Sequence, residues 1–226
     1  MNEFGTIAFA AAGGALPALM WLWFWLREDS AHPEPRQLIA LAFLCGMLTV
    51  AITIPIQKFA ATFIVGTTFV FIAWSFIEEI LKYMVARFTI LWRKEVDEPI
   101  DMVMYMITLA LGFAAVENTL FLLSPLAGEG FMNTLLTGNL RFIGATLLHV
   151  FTSAIVGVFL AISFYKKPLV RMWYAITGVI LAAVLHSAFN FFILNSSDQN
   201  LFRIFAGVWV GVVVVLAILE YIKRIR

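Results

Sequence analysis

Residues 102–124 read MVMYMITLALGFAAVENTLFLLS, an apolar run whose one charged side chain is Glu117. A helix needs roughly 20 apolar residues to cross the hydrocarbon of a bilayer. This stretch is long enough to span, and it carries a carboxylate into the span. Six other stretches have comparable character: about 5–26, 38–57, 59–92, 141–165, 172–194 and 201–222. Between them lie REDSAHPEPRQ, RKEVDEPID, SPLAGEGFMNTLLTGN, KKPLVR and NSSDQN, whose Pro, Gly, Asn and Asp content breaks helices. Only helices and closed barrels satisfy the backbone in hydrocarbon, and these runs are too long and too evenly apolar for barrel strands. The expected fold is an all-α, polytopic transmembrane bundle of about seven spans, a single domain over residues 1–226.

Composition agrees. Of 226 residues, 62% are hydrophobic and only 13% charged, where a soluble domain carries about 25%. Most of the surface is therefore expected to face lipid. A net charge of +1 offers no electrostatic argument for nucleic acid. The single cysteine, Cys45, excludes an intramolecular disulfide or a cysteine-built metal cage. The first 26 residues read as a span rather than a cleavable signal: no Lys or Arg precedes the apolar segment, and AAAGGA comes before WLWFWL.

Charge bias predicts the orientation. With the connections after spans one, three and five on the same side as the C-terminus, that side holds Arg27, Arg36, Arg87, Arg93, Lys94, Lys166, Lys167, Arg171, Lys223, Arg224 and Arg226. The opposite side holds only Lys58, Arg141 and Arg203. The reading is N-terminus out, C-terminus in. Trp25, Trp92 and Trp173 fall at the predicted inner edge, as an aromatic belt does.

Ionisable groups inside spans cost on the order of 3 kcal/mol each on insertion scales and are functional candidates by default. Here they comprise Glu78, Glu79 and Lys82 in FIEEILKY, Glu117 with Asn118 in FAAVENTL, His149 in LLHVF, and His186 with Asn190 in LHSAFNFF. His32 sits in a charged connection and reads as solvated. Taken singly, a Glu–Lys pair reads equally well as a packing ion pair, and His149, Asn118 or Asn190 as interhelical hydrogen-bonding residues. Depth argues against that: Glu117, His149 and His186 each lie about 12–14 Å below the outer boundary at 1.5 Å per residue. The 59–92 segment would make a helix of about 51 Å, and Glu78 joins the same layer only when counted up from Arg93. Residues 59–70 are then expected to lie outside the spanning core.

Two adjacent carboxylates in low dielectric do not both ionise easily, which leaves one free to act as base or acid. Imidazoles donate to a developing oxyanion or ligate a metal. Such a set suits hydrolysis. No G-x-S-x-G and no H-E-x-x-H occurs, and Ser75 has no histidine within a helical turn. Glu78, Glu117, His149 and His186 are candidate ligands for a divalent metal such as zinc, without a diagnostic spacing. No other cofactor is indicated.

The order EEILK, FAAVEN, an intramembrane histidine and HSAFN resembles the PrsW family of membrane proteases, related to the CAAX prenyl endopeptidases and bacteriocin-immunity proteins. The stretch HPEPRQLIALAFLCG looks like that family's amino-terminal signature, so the resemblance extends from about residue 16 to 194. It implies catalytic roles for Glu78 and Glu79, with Glu117, His149, His186 and Asn190 completing the site. It also implies a single-span, anti-sigma-factor-type substrate cut near the extracytoplasmic side of a bacterial cytoplasmic membrane. CAAX enzymes usually carry EExxxR and FxxxH. Here Lys82 stands one position earlier and Glu117 replaces the histidine, which points away from a prenyl-protein substrate. The expected chemistry is attack of a water deprotonated by Glu78 or Glu79, the former favoured through its i+4 neighbour Lys82. His149 and His186 would stabilise the oxyanion or hold metal, Asn190 would orient His186 or the carbonyl, and Lys82 and Asn118 would support the site. The rival classes are a proton-coupled transporter or channel, which would usually show an inverted repeat or paired broken helices, and a non-catalytic immunity or binding protein of the same fold.

The orientation is directly testable. A reporter active only in the cytoplasm, fused after Arg226, is expected to be active. Activity only of a periplasmic or secreted reporter at that position would reverse every depth above.

Overall fold

The computed structural model describes the backbone of residues 3–28, 33–126, 131–194 and 198–224, and the side chains of these except 124–143 and 194–202. Within them it is entirely helical. The helices are α1 (Glu3–Glu28), α2 (Arg36–Ala61), α3 (Thr67–Thr89), α4 (Pro99–Leu126), α5 (Phe131–Ile162), α6 (Pro168–Leu194) and α7 (Asp198–Ile222). Six are long and apolar enough to cross a membrane. The remaining one, α3, has the length but carries Glu78, Glu79, Lys82 and Arg87, of which all but Arg87 are buried within the protein. The chain is an integral membrane helical bundle.

Several boundaries differ from the sequence reading, and each has a local cause. The 34-residue apolar segment is divided: α2 continues through Lys58 to Ala61, residues 62–66 turn, and α3 starts at Thr67. Gly66 supplies the positive φ of 96° that this turn requires. Glu78 therefore sits at the midpoint of α3. Residues 59–61 and 67–70 are helical, with the turn between them. The stretch 124–139, read as a connection, contains the start of α5, so helix covers 131–139. Pro99 and Pro168 begin α4 and α6 rather than ending a loop, because the first helical position needs no backbone N–H donor. Asp101 Oδ2 accepts from the backbone N–H groups of Asp97 (2.9 Å) and Glu98 (2.8 Å), tying the preceding turn to α4. His32 lies outside the described residues.

The bundle is built around α4 and α5. Of their apolar stretches, 67% and 72% are buried against protein, compared with 17% for α1 and 22% for α7, which present most of their surface outward. Lipid gives no hydrophobic drive for helices to associate, so close backbone packing at small residues must supply it. At the α2–α4 crossing this is reciprocal. Gly46 meets the Leu109 carbonyl, where a Cβ would come within 1.9 Å, and Gly112 meets the Phe43 carbonyl, where it would come within 2.0 Å. Neither obstacle is a side chain that can swing away.

Gly46→Ala and Gly112→Ala should therefore each force α2 from α4 and cost about 1–3 kcal/mol. Thermal or denaturant unfolding in detergent reads this directly. At Gly207, where a Cβ would have nothing within 4 Å, alanine is expected to be neutral. Equal stability of all three variants would contradict the close crossing.

Candidate active site

Polar residues of five helices, α2 to α6, meet in one cluster. In α3, Glu78 and Glu79 are successive and so point about 100° apart. Glu79 turns inward and is completely buried, as is Lys82 one turn on. The Lys82 ammonium lies 2.8 Å from Glu79 Oε1. His186 Nδ1 from α6 is 2.8 Å from the same oxygen, and Thr152 Oγ1 from α5 is 3.1 Å away. Lys82 also donates across the bundle to His149 Nδ1 at 2.8 Å, and its ammonium sits 4.7 Å from the centroid of the Phe113 ring.

These contacts fix the imidazole protons. An ammonium only donates, so His149 Nδ1 accepts and the ring proton is on Nε2. That N–H points at Glu117 Oε2, 2.6 Å away. His186 donates from Nδ1 to the Glu79 carboxylate, which turns Nε2 to the Glu78 side. Nε2 faces Glu78 Oε2 at 3.8 Å. The other Glu78 oxygen, Oε1, accepts from Gln57 Nε2 of α2 at 2.7 Å. Glu78 Oε2 itself is buried with no hydrogen-bond partner, as is Glu79 Oε2. The two imidazoles lie edge to face, centroids 5.2 Å apart.

Glu78 and Glu117 open into one cavity of about 210 Å³, lined also by Thr53, Ile54, Gln57 and Phe113. The Glu117 side chain is 34% exposed, which makes it the wet end of the cluster. A larger hollow of about 810 Å³ between α1 and α2 is mostly apolar and includes none of these residues.

Glu78, Glu79, Lys82, Glu117, His149 and His186 thus converge as the sequence led one to expect, with two corrections. Lys82 does not pair with Glu78 at i+4. It pairs with Glu79 at i+3, because Glu79 faces the interior where the ammonium must find an anion. Glu78 is left free to face the cavity. Asn190 does not orient His186 through its amide nitrogen, which donates to Ser75 Oγ of α3 at 3.1 Å. Asn118 donates to Thr146 of α5 at 2.9 Å, a helix-to-helix tie beside the cluster. Gln57 and Thr152 escaped the sequence reading. Thr152 had a signal, lying three residues beyond His149 on the same helical face. Gln57 had none beyond being an amide near the end of an apolar span.

The chain matches, over residues 34–219, the family described as PrsW family intramembrane metalloprotease. It belongs to that family. Curated relatives named Protease PrsW include those of Geobacillus kaustophilus, 28% identical over 189 residues (81% of this chain, 79% of the relative), and Bacillus subtilis, 23% identical over 190 residues (83% and 84%). A third, from Oceanobacillus iheyensis, is 28% identical over 197 residues (84% and 85%). No solved structure matches. Membership in the PrsW family makes this chain an intramembrane protease.

The family's description implies a metal, and the donor set fits one. Glu78, His149 and His186 each offer a ligand atom within 4.8 Å of the other two. Glu78 Oε2 lacks a partner, and His186 turns Nε2 toward it while its Nδ1 is held by a carboxylate, the usual support for a ligating histidine. Glu117, also a sequence candidate, is instead the partner of His149.

Removing one partner of a buried ion pair costs about 3–5 kcal/mol, since the other charge stays behind unpaired. Lys82→Met should therefore destabilise the folded protein in detergent by that order. The double variant Glu79→Gln/Lys82→Met should lie closer to wild type than Lys82→Met alone. A Lys82→Met protein as stable as wild type would contradict the pairing.

Proposed function

We propose that this PrsW-family protein hydrolyses a peptide bond of a single-span, membrane-anchored substrate of the anti-sigma-factor type, near the extracytoplasmic face. The observation that carries this reading is Glu78, a carboxylate that lines one cavity with Glu117 and whose unpartnered Oε2 faces His186 Nε2. A carboxylate so placed needs only a water in the cavity to serve as general base. The charge-based orientation supports the sidedness. Thr53, Ile54 and Gln57 of α2 and Leu120 and Phe121 of α4 line the cavity near the C-terminal ends of those helices, which point outward if the N-terminus is out.

In this mechanism Glu78 takes the proton of the attacking water. The Nε2–H of His149, held by the cavity-lining Glu117, swings from it to the developing oxyanion. Glu117, at the wet end, takes up and returns protons to the leaving amine. Glu79 does not touch the reaction; its charge holds Lys82 and the Nδ1–H of His186, and so sets both tautomers. A divalent ion would be held by Glu78 and His186 Nε2, and His149 would join only if Lys82 released Nδ1 and the ring proton moved there, freeing Nε2. When bound, such an ion supplies Lewis acidity and lowers the pKa of a coordinated water to near 7.

The test is co-expression with a panel of epitope-tagged single-span membrane proteins. Glu78→Gln is expected to lower cleavage at least about 100-fold, the usual worth of a general base. His186→Ala should lose activity and any stoichiometric metal together. Elemental analysis of the purified protein, read beside activity with and without a chelator, separates a metal-bearing site from a metal-free glutamate site. Full cleavage by Glu78→Gln would overturn the assignment.

A further inference from the structure

Gln57 is a polar residue that neither family resemblance nor periodicity singles out, yet it touches α3 at two points. Its side-chain Nε2 donates to Glu78 Oε1 at 2.7 Å. Its main-chain carbonyl accepts from Trp74 Nε1 at 3.1 Å. Trp74 and Glu78 are one helical turn apart and so share a face of α3. The two bonds therefore clamp one residue of α2 along one stripe of α3. The backbone contact fixes where Gln57 stands, and the amide then has little freedom except to meet the carboxylate.

The consequence lies in which oxygen is left over. A carboxylate with both oxygens free rotates about its last torsion, a broad and soft one. With Oε1 held by Gln57, Oε2 is directed away from α2, and it is the oxygen that lies 3.8 Å from His186 Nε2 without a partner. Gln57 is also a wall of the cavity into which Glu78 and Glu117 open. A neutral amide suits this place: a lysine would add a second cation to the cluster, and a carboxylate would repel Glu78.

We propose that Gln57 is a positioning residue for the hydrolytic reaction, holding the Glu78 carboxylate by one oxygen so that the other faces the reacting water. This rests on the reading of Glu78 as general base. Trp74, in turn, positions Gln57.

Gln57→Met keeps the length and the methylene stem of the side chain and removes the donor. With a tagged single-span substrate that the wild type cleaves, it should reduce kcat about 10- to 100-fold, the range for losing one hydrogen bond to a charged group. KM should be unchanged, because the substrate's own contacts are intact. The carboxylate stretching band assigned to Glu78, as the infrared band lost in Glu78→Gln, should shift in Gln57→Met. Gln57→His, which restores an N–H at similar reach, should recover both rate and band. If Gln57→Met does not accumulate in the membrane, Gln57→Asn, one methylene short of Glu78, is measured in its place. Wild-type kcat in the donor-less variant, or an unshifted Glu78 band, overturns the proposal. Cleavage that persists in Glu78→Gln would instead reject the underlying assignment of the base, so the two failures are told apart.

Discussion

The Lys82 ammonium is the constraint around which the interior is arranged. It is fully buried in a bundle whose surroundings are hydrocarbon, and moving an ion of that size into a low-dielectric medium costs several kcal/mol even after relaxation. Only a matched anion and further acceptors make it tolerable. Glu79 supplies the charge, His149 Nδ1 a lone pair and the Phe113 ring a negative face. Each comes at a cost elsewhere: Glu79 can no longer serve as a free carboxylate, and His149 must keep its proton on Nε2. The adjacent carboxylates Glu78 and Glu79 are divided by this into one facing the cavity and an anion locked inside.

The cavity follows from how the backbones pack. Glycine contacts bring α2 hard against α4 at Gly46 and Gly112. Meanwhile α3 touches α4 far less than α2 does and lies instead against α2 and α6. The gap between α3 and α4, roofed by the C-terminal half of α2, is where Glu78 and Glu117 open. A bundle with uniformly large residues at these crossings would hold α2 outward and widen that gap to lipid. Close packing at one level of the bundle thus permits a small polar space at the next.

Much of this was legible in the sequence because membrane helices announce themselves by length and composition, and because a charged residue in a span has few reasons to be there. Glu78, Glu117, His149 and His186 were placed in one layer by counting residues, and their side chains meet. What counting cannot supply is facing. The i+4 spacing of Glu78 and Lys82 suggested a pair, but the inward face of α3 belongs to Glu79, so the i+3 contact forms. Asn190, spaced for His186, found Ser75 on a neighbouring helix instead. Helix ends were equally hard to see, since Pro99 and Pro168 begin helices, and residues 131–139 are helical despite a glycine and two asparagines. Gln57 carried no periodic signal, and its relevance appears only when α2 and α3 are brought together.

The acid and the imidazole at the water-facing end of the site come from different helices. Glu117 stands on α4, and the ring is delivered from α5, where His149 Nε2 lies 2.6 Å from Glu117 Oε2, with Lys82 behind it fixing the tautomer. An imidazole placed this way has its donor aimed at Glu117 and its acceptor already occupied by Lys82. The acid–imidazole pair at the water-facing end of the cluster is therefore assembled from α4 and α5, while its proton is controlled from α3, where Glu79 holds the ammonium in place.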